Sequence, residues 1–256
     1  MKAFLAFVRK EFLDRQRSGR LTVLGILFVL FGIMDPAIAK LTPWLLEVMA
    51  EELAASGMTV GTVTITAMDS WVQFFKNIPM ALIVFICMEA GCFTKEYGSG
   101  SLIPLLTKGL PRRTVVLAKS LVLVTVFTAG YWVCYGITWG YNDWFWDNSV
   151  AQNLLFSAVC WWIFGLWVIA LMLLFSVVSS SNTGVFLGTG GCVLVCFLLG
   201  MIPKVQKYLP TKLTDGNSLI YGTTEAADYK TALLVLTATG IACLVAAVPV
   251  LNKKQL

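Results

Sequence analysis

Six apolar runs punctuate the chain, at residues 21–39, 78–93, 114–139, 154–178, 184–202 and 231–251. Runs of about 18 residues with few charges have the length at which a helix crosses about 30 Å of hydrocarbon. The second run is short. It starts either at Ile78 or earlier, near Trp71, in which case Lys76 snorkels to the interface. None of the runs alternates over about ten residues as a barrel strand does, so all six are predicted to be helices. The hydrophilic intervals between them reach about 30 residues, too short to fold as independent units. The expected fold class is all-α, a single polytopic membrane domain over residues 1–256 with six transmembrane helices.

The intervals carry their own signals. Residues 1–20 place Phe4, Leu5, Phe7, Val8, Phe12 and Leu13 on one stripe of a helix, with Arg9, Lys10, Arg15, Arg17 and Arg20 around it. That pattern reads as an amphipathic helix in the membrane interface, its basic set facing headgroups, or as a polybasic flank that only fixes topology. Gly19 then permits a sharp turn into the first span. Asp35-Pro36 is expected to end that span, because proline cannot continue the hydrogen-bond ladder. An acid there would otherwise meet a cargo or an ion. The stretch "PWLLEVMAEELAA" predicts a short amphipathic outer helix, followed by the threonine-rich "GMTVGTVTITAMDSW". Trp139, Tyr141, Trp144, Phe145 and Trp146 form an aromatic girdle suited to the headgroup region. "SSSNTG" makes a very short turn. Residues 203–230 hold Pro203, Pro210 and an Asp215-Gly216-Asn217 turn, which forbid a long helix and point to a re-entrant or surface-lying outer segment.

Charge orients these elements. Hydrophobic residues make up 58% of the chain and charged residues 13%, about half the charged share of a soluble domain. With the N-terminus inside, the inner segments hold Lys2, Arg9, Lys10, Arg15, Arg17, Arg20, Lys95, Lys108, Arg112, Arg113, Lys119, Lys253 and Lys254, and only Glu11, Asp14, Glu89 and Glu96 as acids. Basic residues near helix ends resist translocation, so both termini are expected in the cytoplasm. The net charge of +5 is then a topology signal and implies no nucleic-acid partner. The first apolar run follows a strongly charged stretch of about 20 residues, has no small-residue cleavage site behind it, and is expected to stay as an anchor.

Several chemistries are excluded. The chain has no histidine, which removes the commonest metal ligand and general base. Its seven cysteines form no Cys-x-x-Cys pair and read as small buried hydrophobes. Glu51 and Glu52 are adjacent and point in different directions. No phosphate loop ends in Gly-Lys-Ser or Gly-Lys-Thr. "TGVFLGTGG" lies inside a span, where Gly184, Gly188, Gly190 and Gly191 suit close helix packing. Asp35, Lys76, Glu89 and Lys119 sit near span ends, which gives ion coupling little support.

Residues 94–113 form the one sizeable inner loop. Gly98 and Gly100 permit a turn, Ser101 is placed to cap a following helix, and "SLIPLLTKG" predicts one to two helical turns ended by Gly109. Pro104 falls in the first turn, where it is tolerated. Leu102, Ile103, Leu105 and Leu106 give that short helix an apolar face, ringed by Lys95, Lys108, Arg112 and Arg113. Such a face fits a docking partner or the bilayer interface.

This strip resembles the first intracellular loop of type 2 ABC transporter permeases, through Glu96, Gly100, Ser101, Leu105 and Leu106, Pro111, Arg112 or Arg113, and Lys119. The basic N-terminal helix, six spans and a broken outer segment before the last span are similar to that family over nearly the whole chain. Pro104 within the loop helix and very small outer loops depart from its pattern. The resemblance implies a permease subunit that forms a translocation path with a second permease copy or a related permease, in a bacterial plasma membrane. ABC ATPase subunits would carry the ATP and magnesium; no cofactor is expected on this chain. Their docking face would comprise Leu102, Leu105 and Leu106, with Glu96, Arg112 and Arg113 as polar contacts. The cargo class stays open among peptides, lipids and hydrophobic small molecules. Two other readings stay open: a non-transporting membrane anchor or immunity protein, and an ion-coupled carrier without an ATPase.

Overall fold

The computed structural model describes residues 2–49, 64–107 and 109–254, without the side chain of Leu105. Glu51, Glu52, most of the threonine-rich stretch and Lys108 lie outside the described residues. The helices are α1 (Lys2–Arg17), α2 (Arg20–Val48), α3 (Ala67–Glu89), α4 (Gly91–Ser99), α5 (Ile103–Thr107), α6 (Arg112–Phe145), α7 (Leu154–Val178), α8 (Asn182–Gly200), α9 (Pro203–Gln206), α10 (Gly216–Ile220) and α11 (Lys230–Lys253). Short 3-10 turns occur at Asn148–Val150, Pro210–Thr214 and Ala226–Tyr229. Six helical segments are long and apolar enough to cross a membrane, with α3 and α4 counted together as Ala67–Ser99. The chain is an all-α polytopic membrane protein.

The spans α3, α6 and α7 form the centre, with α2 packed on α3 and α6, and both α8 and α11 on α7. Lipid is as apolar as leucine, so tight packing and hydrogen bonds rather than water exclusion hold such helices together. Aromatic edges supply much of that packing. Trp71 lies 5.3 Å from Tyr135, Phe74 lies 6.1 Å from Tyr131, and Phe85 lies 5.4 Å from Phe127. The buried Tyr131 hydroxyl donates to the Ala158 carbonyl at 2.7 Å, so its polar end is satisfied.

The first span does not end at Pro36. Helix α2 runs on through Pro36 and Pro43 to Val48, taking in the front of the expected outer helix. Pro36 has no N–H to offer the Gly32 carbonyl four residues earlier. Thr138 on α6 reaches that carbonyl instead, its hydroxyl shared between it and the Cys134 carbonyl of its own helix, both at 3.1 Å. Gly32 makes this approach possible, since a Cβ there would lie 2.8 Å from the Cys134 carbonyl oxygen. Asp35 is buried in the same interface and accepts a hydrogen bond from Asn77 Nδ2 at 2.8 Å. Thr138→Val should therefore cost about 1 kcal/mol in detergent unfolding. In a Pro36→Ala background, which restores the backbone donor, the same substitution should cost measurably less.

The other boundaries shift less. The second span begins at Ala67, earlier than either sequence expectation, behind a capping box of Thr66 and Asp69. The third continues past residue 139 to Phe145, so most of the aromatic girdle rides on the last turns of α6, where Lys40 lies over the Phe145 ring. The segment 203–230 breaks into short helical pieces, and Leu213, Leu219, Ile220 and Tyr229 are buried against the bundle. Trp161 Nε1 on α7 donates to the Thr214 carbonyl at 3.0 Å and pins the segment there.

Candidate functional site

One end of the bundle gathers α1, residues 100–107 and 109–111, the turn at 179–181 and the C-terminal end of α11. Helix α1 lies across the start of α6 and the α3–α4 junction, and its Phe7, Glu11 and Arg15 face inward. Lys10 is half-buried. Phe4 and Val8 are partly buried, while Phe12 is exposed. The expectation that every basic residue of α1 faces headgroups fails at Arg15, which is 3% exposed.

Burial of a charge requires a partner. Arg15 Nε meets Glu89 Oε2 at 3.0 Å, and Arg15 Nη1 meets Glu11 Oε2 at 3.1 Å. Lys119 on α6, 2% exposed, joins Glu11 at 2.9 Å and Glu96 on α4 at 3.0 Å. Lys10 reaches Asp14 at 2.9 Å, and both Glu11 and Glu96 at 3.1 Å. Arg20 approaches Glu89 at 3.9 Å. All four acids of the basic segments are thus consumed inside one network that joins α1, α2, α3, α4 and α6. Burial disfavours the charged form of Glu11, but Lys119, Lys10 and Arg15 outweigh it and hold the carboxyl at about 2. Burial likewise works against the Lys10 ammonium, and Asp14, Glu11 and Glu96 together raise it above its ordinary range.

The network corrects the expected role of Glu96. Its side chain is mostly buried and internally paired rather than presented to a partner. Glu11 and Glu89 are not among the residues expected at the site, and Lys119 enters only through the loop's resemblance, although an acid i,i+4 from Arg15 in a basic segment and two ionisable span ends are visible signals.

The loop begins where Gly100 ends α4 in the left-handed conformation, at φ +63°, which costs glycine little. The Ser101 hydroxyl is engaged by Ser99 Oγ at 3.0 Å and does not cap α5. Helix α5 contains Pro104 near its start, as expected, and Gly109 follows it with φ +86°. Leu102 is 1% exposed and points into the core, so it is not part of a docking face. Ile103, 45% exposed, and the exposed Pro104 and Thr107 form the outward side instead, with Leu106 half-buried beneath them. Arg113 is exposed. Arg112 is not a rim contact: its Nη1 donates to the carbonyls of Leu251, Asn252 and Lys254, capping the C-terminal end of α11. Lys254 Nζ in turn donates to the Val177, Val178 and Ser179 carbonyls at 2.9–3.2 Å and lies 4.0 Å over the Tyr97 ring. Cationic caps on two helix C-termini therefore join α4, α6, α7 and α11 beside the loop.

A second feature lies within the spans. A groove of about 470 Å³ opens between α3, α7 and α8, with Leu82, Ile86, Phe164, Gly190 and Phe197 on its walls and Thr214 at one end. Its lining is almost wholly apolar, and the Thr189 hydroxyl is committed to the Val185 carbonyl at 2.8 Å. The groove can hold apolar matter and offers no group for acid–base chemistry. Among the described residues no three metal-ligating side chains converge.

Residues 5–228 match the family described as ABC-2 family transporter protein. The chain is also similar to an uncharacterized transmembrane protein, YxlG, of Bacillus subtilis strain 168, at 22% identity over 237 residues that cover 90% of this chain and 89% of the relative. A six-span bundle with this family match over most of its length is a membrane transporter subunit rather than a catalyst: the chain belongs to the ABC-2 transporter family.

Proposed function

We propose that this chain is the path-forming permease of an ATP-driven exporter of apolar cargo, with nucleotide hydrolysis on separate ABC ATPase subunits that carry ATP and magnesium. A second copy or a related permease would complete the path. The orientation supported by the charge distribution puts both termini, and the end bearing α5, in the cytoplasm of a bacterial cell. The observation that carries the reading is the ion network at the end of the span that leads into the loop. Glu96, four residues before Gly100, is tied to Lys119 on α6 and to Lys10 on α1. A push or pull on the exposed side of α5 would be passed to three helices through charged contacts that are costly to break, biasing a two-state bundle. The apolar groove between α3, α7 and α8 supports lipids or hydrophobic small molecules as the cargo class.

A photo-crosslinking side chain placed at Ile103 in cells tests the coupling. The expected adduct is with a protein whose peptides include a glycine-rich phosphate loop; adducts with lipid alone would refute the reading. Binding of the apolar dye Nile red to purified protein tests the groove. Gly190 lines the groove and has open space where a Cβ would stand, so Gly190→Phe should project into the groove and lower dye binding several-fold. Unchanged binding would remove the groove as a cargo site.

A further inference from the structure

We infer that a second, smaller groove near α1 is a binding site for an anionic phospholipid, separate from the cargo path. It has a volume of about 370 Å³ and runs between α2 and α6, with Phe12 of α1 at one end and Leu21, Gly25, Ala129, Gly130 and Val133 along it. Its floor exists because Gly130 lets the Phe28 ring lie against α6: a Cβ at Gly130 would meet that ring at 2.3 Å. One wall is notched at Gly25, where no heavy atom lies within 4 Å of a Cβ position. The hydroxyl of Thr125 in the lining is committed to the Leu121 carbonyl at 2.8 Å, so the groove makes no polar demand. An acyl chain fits that chemistry.

Charge selects the headgroup. Leu21 opens the first turn of α2, next to Arg20, and Arg17 ends α1 three residues before Arg20. Arg9 lies one helical turn from Phe12 on α1. Arg9 and Arg17 are both exposed, and neither reaches a carboxylate among the described residues. The nearby Asp14 is taken by Lys10, and Glu11 and Glu89 are buried in the network. With Glu11 and Glu89 buried and the exposed Asp14 paired to Lys10, Arg9 and Arg17 are left as exposed guanidinium groups without a carboxylate partner among the described residues, on the helix whose Phe12 closes one end of the apolar groove. Basic pockets flanking spans attract anionic lipid heads, while the groove takes the chain. The assignment rests on geometry and charge and does not depend on the cargo or on an ATPase.

Native mass spectrometry of the full chain in detergent, with equal amounts of dioleoyl phosphatidylglycerol and dioleoyl phosphatidylcholine, tests it. The wild type should retain phosphatidylglycerol preferentially, by about fivefold for each arginine engaged. Arg9→Gln with Arg17→Gln, both at exposed unpaired positions, should abolish the preference and leave phosphatidylcholine retention unchanged. Gly25→Leu, which fills open space and favours the helix, should reduce retention of both lipids. Three results would each overturn the site: equal retention of the two lipids by the wild type, unchanged retention by Gly25→Leu, or an intermolecular Gly25→Cys crosslink with a second copy occupying the groove.

Discussion

Lys119→Met is expected to lower stability by about 3 kcal/mol, the low end of the range for removing one partner of a buried ion pair, because it partly strands Glu11 and Glu96, leaving them only the half-buried Lys10 and, for Glu11, Arg15. Detergent unfolding followed by helical signal would measure the loss. Adding Glu11→Gln to Lys119→Met should recover part of it, since the second change removes one stranded charge. If the double variant is as unstable as the sum of the two single losses, the two side chains do not act as a pair. The network also sets an acid limit. Glu11 titrates at about 2 in the folded chain against an ordinary 4.5, so its contribution is complete above about pH 4.5 and is lost as the pH falls toward 2. Stability should be insensitive to Glu11 between pH 6 and 8 (about the neutral range) and should fall on acidification. Glu11→Gln should flatten that acid slope. A slope unchanged in that variant would place the acid sensitivity elsewhere.

Leu102→Asp and Ile103→Asp, adjacent changes of one kind, should have opposite consequences. Leu102 is buried, so a carboxylate there has no partner and the folded yield should collapse. Ile103 is exposed, and its replacement should change stability by no more than about 0.5 kcal/mol. On the proposed function, in which the outward side of α5 is the docking surface, that replacement should nonetheless abolish copurification of an ATPase subunit. Copurification that survives Ile103→Asp at the wild-type level would refute α5 as the coupling element. Equal stability losses in the two variants would contradict the burial that separates them.

Those two positions show where reading the sequence stops. Leu102, Ile103, Leu105 and Leu106 all look alike in and just before a five-residue helix, and a segment that short has too few turns for periodicity to choose a face. The choice falls to what the loop packs against, and Leu102 is the residue drawn into the core. Arg112 presents the same problem: a basic residue at a loop edge reads as a surface contact, yet its partners are carbonyls at the far end of the chain, 139 to 142 residues away. Pro36 reads as a helix end by the local rule. Helix α2 nonetheless runs on through Pro36 and Pro43, and at Pro36 the Thr138 hydroxyl of another span reaches the carbonyl that proline leaves without a donor.

The sequence by itself determined the number of spans, their helical nature, the basic end of the bundle and the place of the short loop helix. Each of these follows from length, apolar content or charge within a few turns of chain, quantities that a bilayer reads locally. Tertiary structure alone decided which charges are partners. Arg15 finds Glu89 across 74 residues and Lys119 finds Glu11 across 108. Removing an ion from water is tolerable only where an opposite charge is already held, and it is the packing of α1 onto α6 and α2 that holds it there.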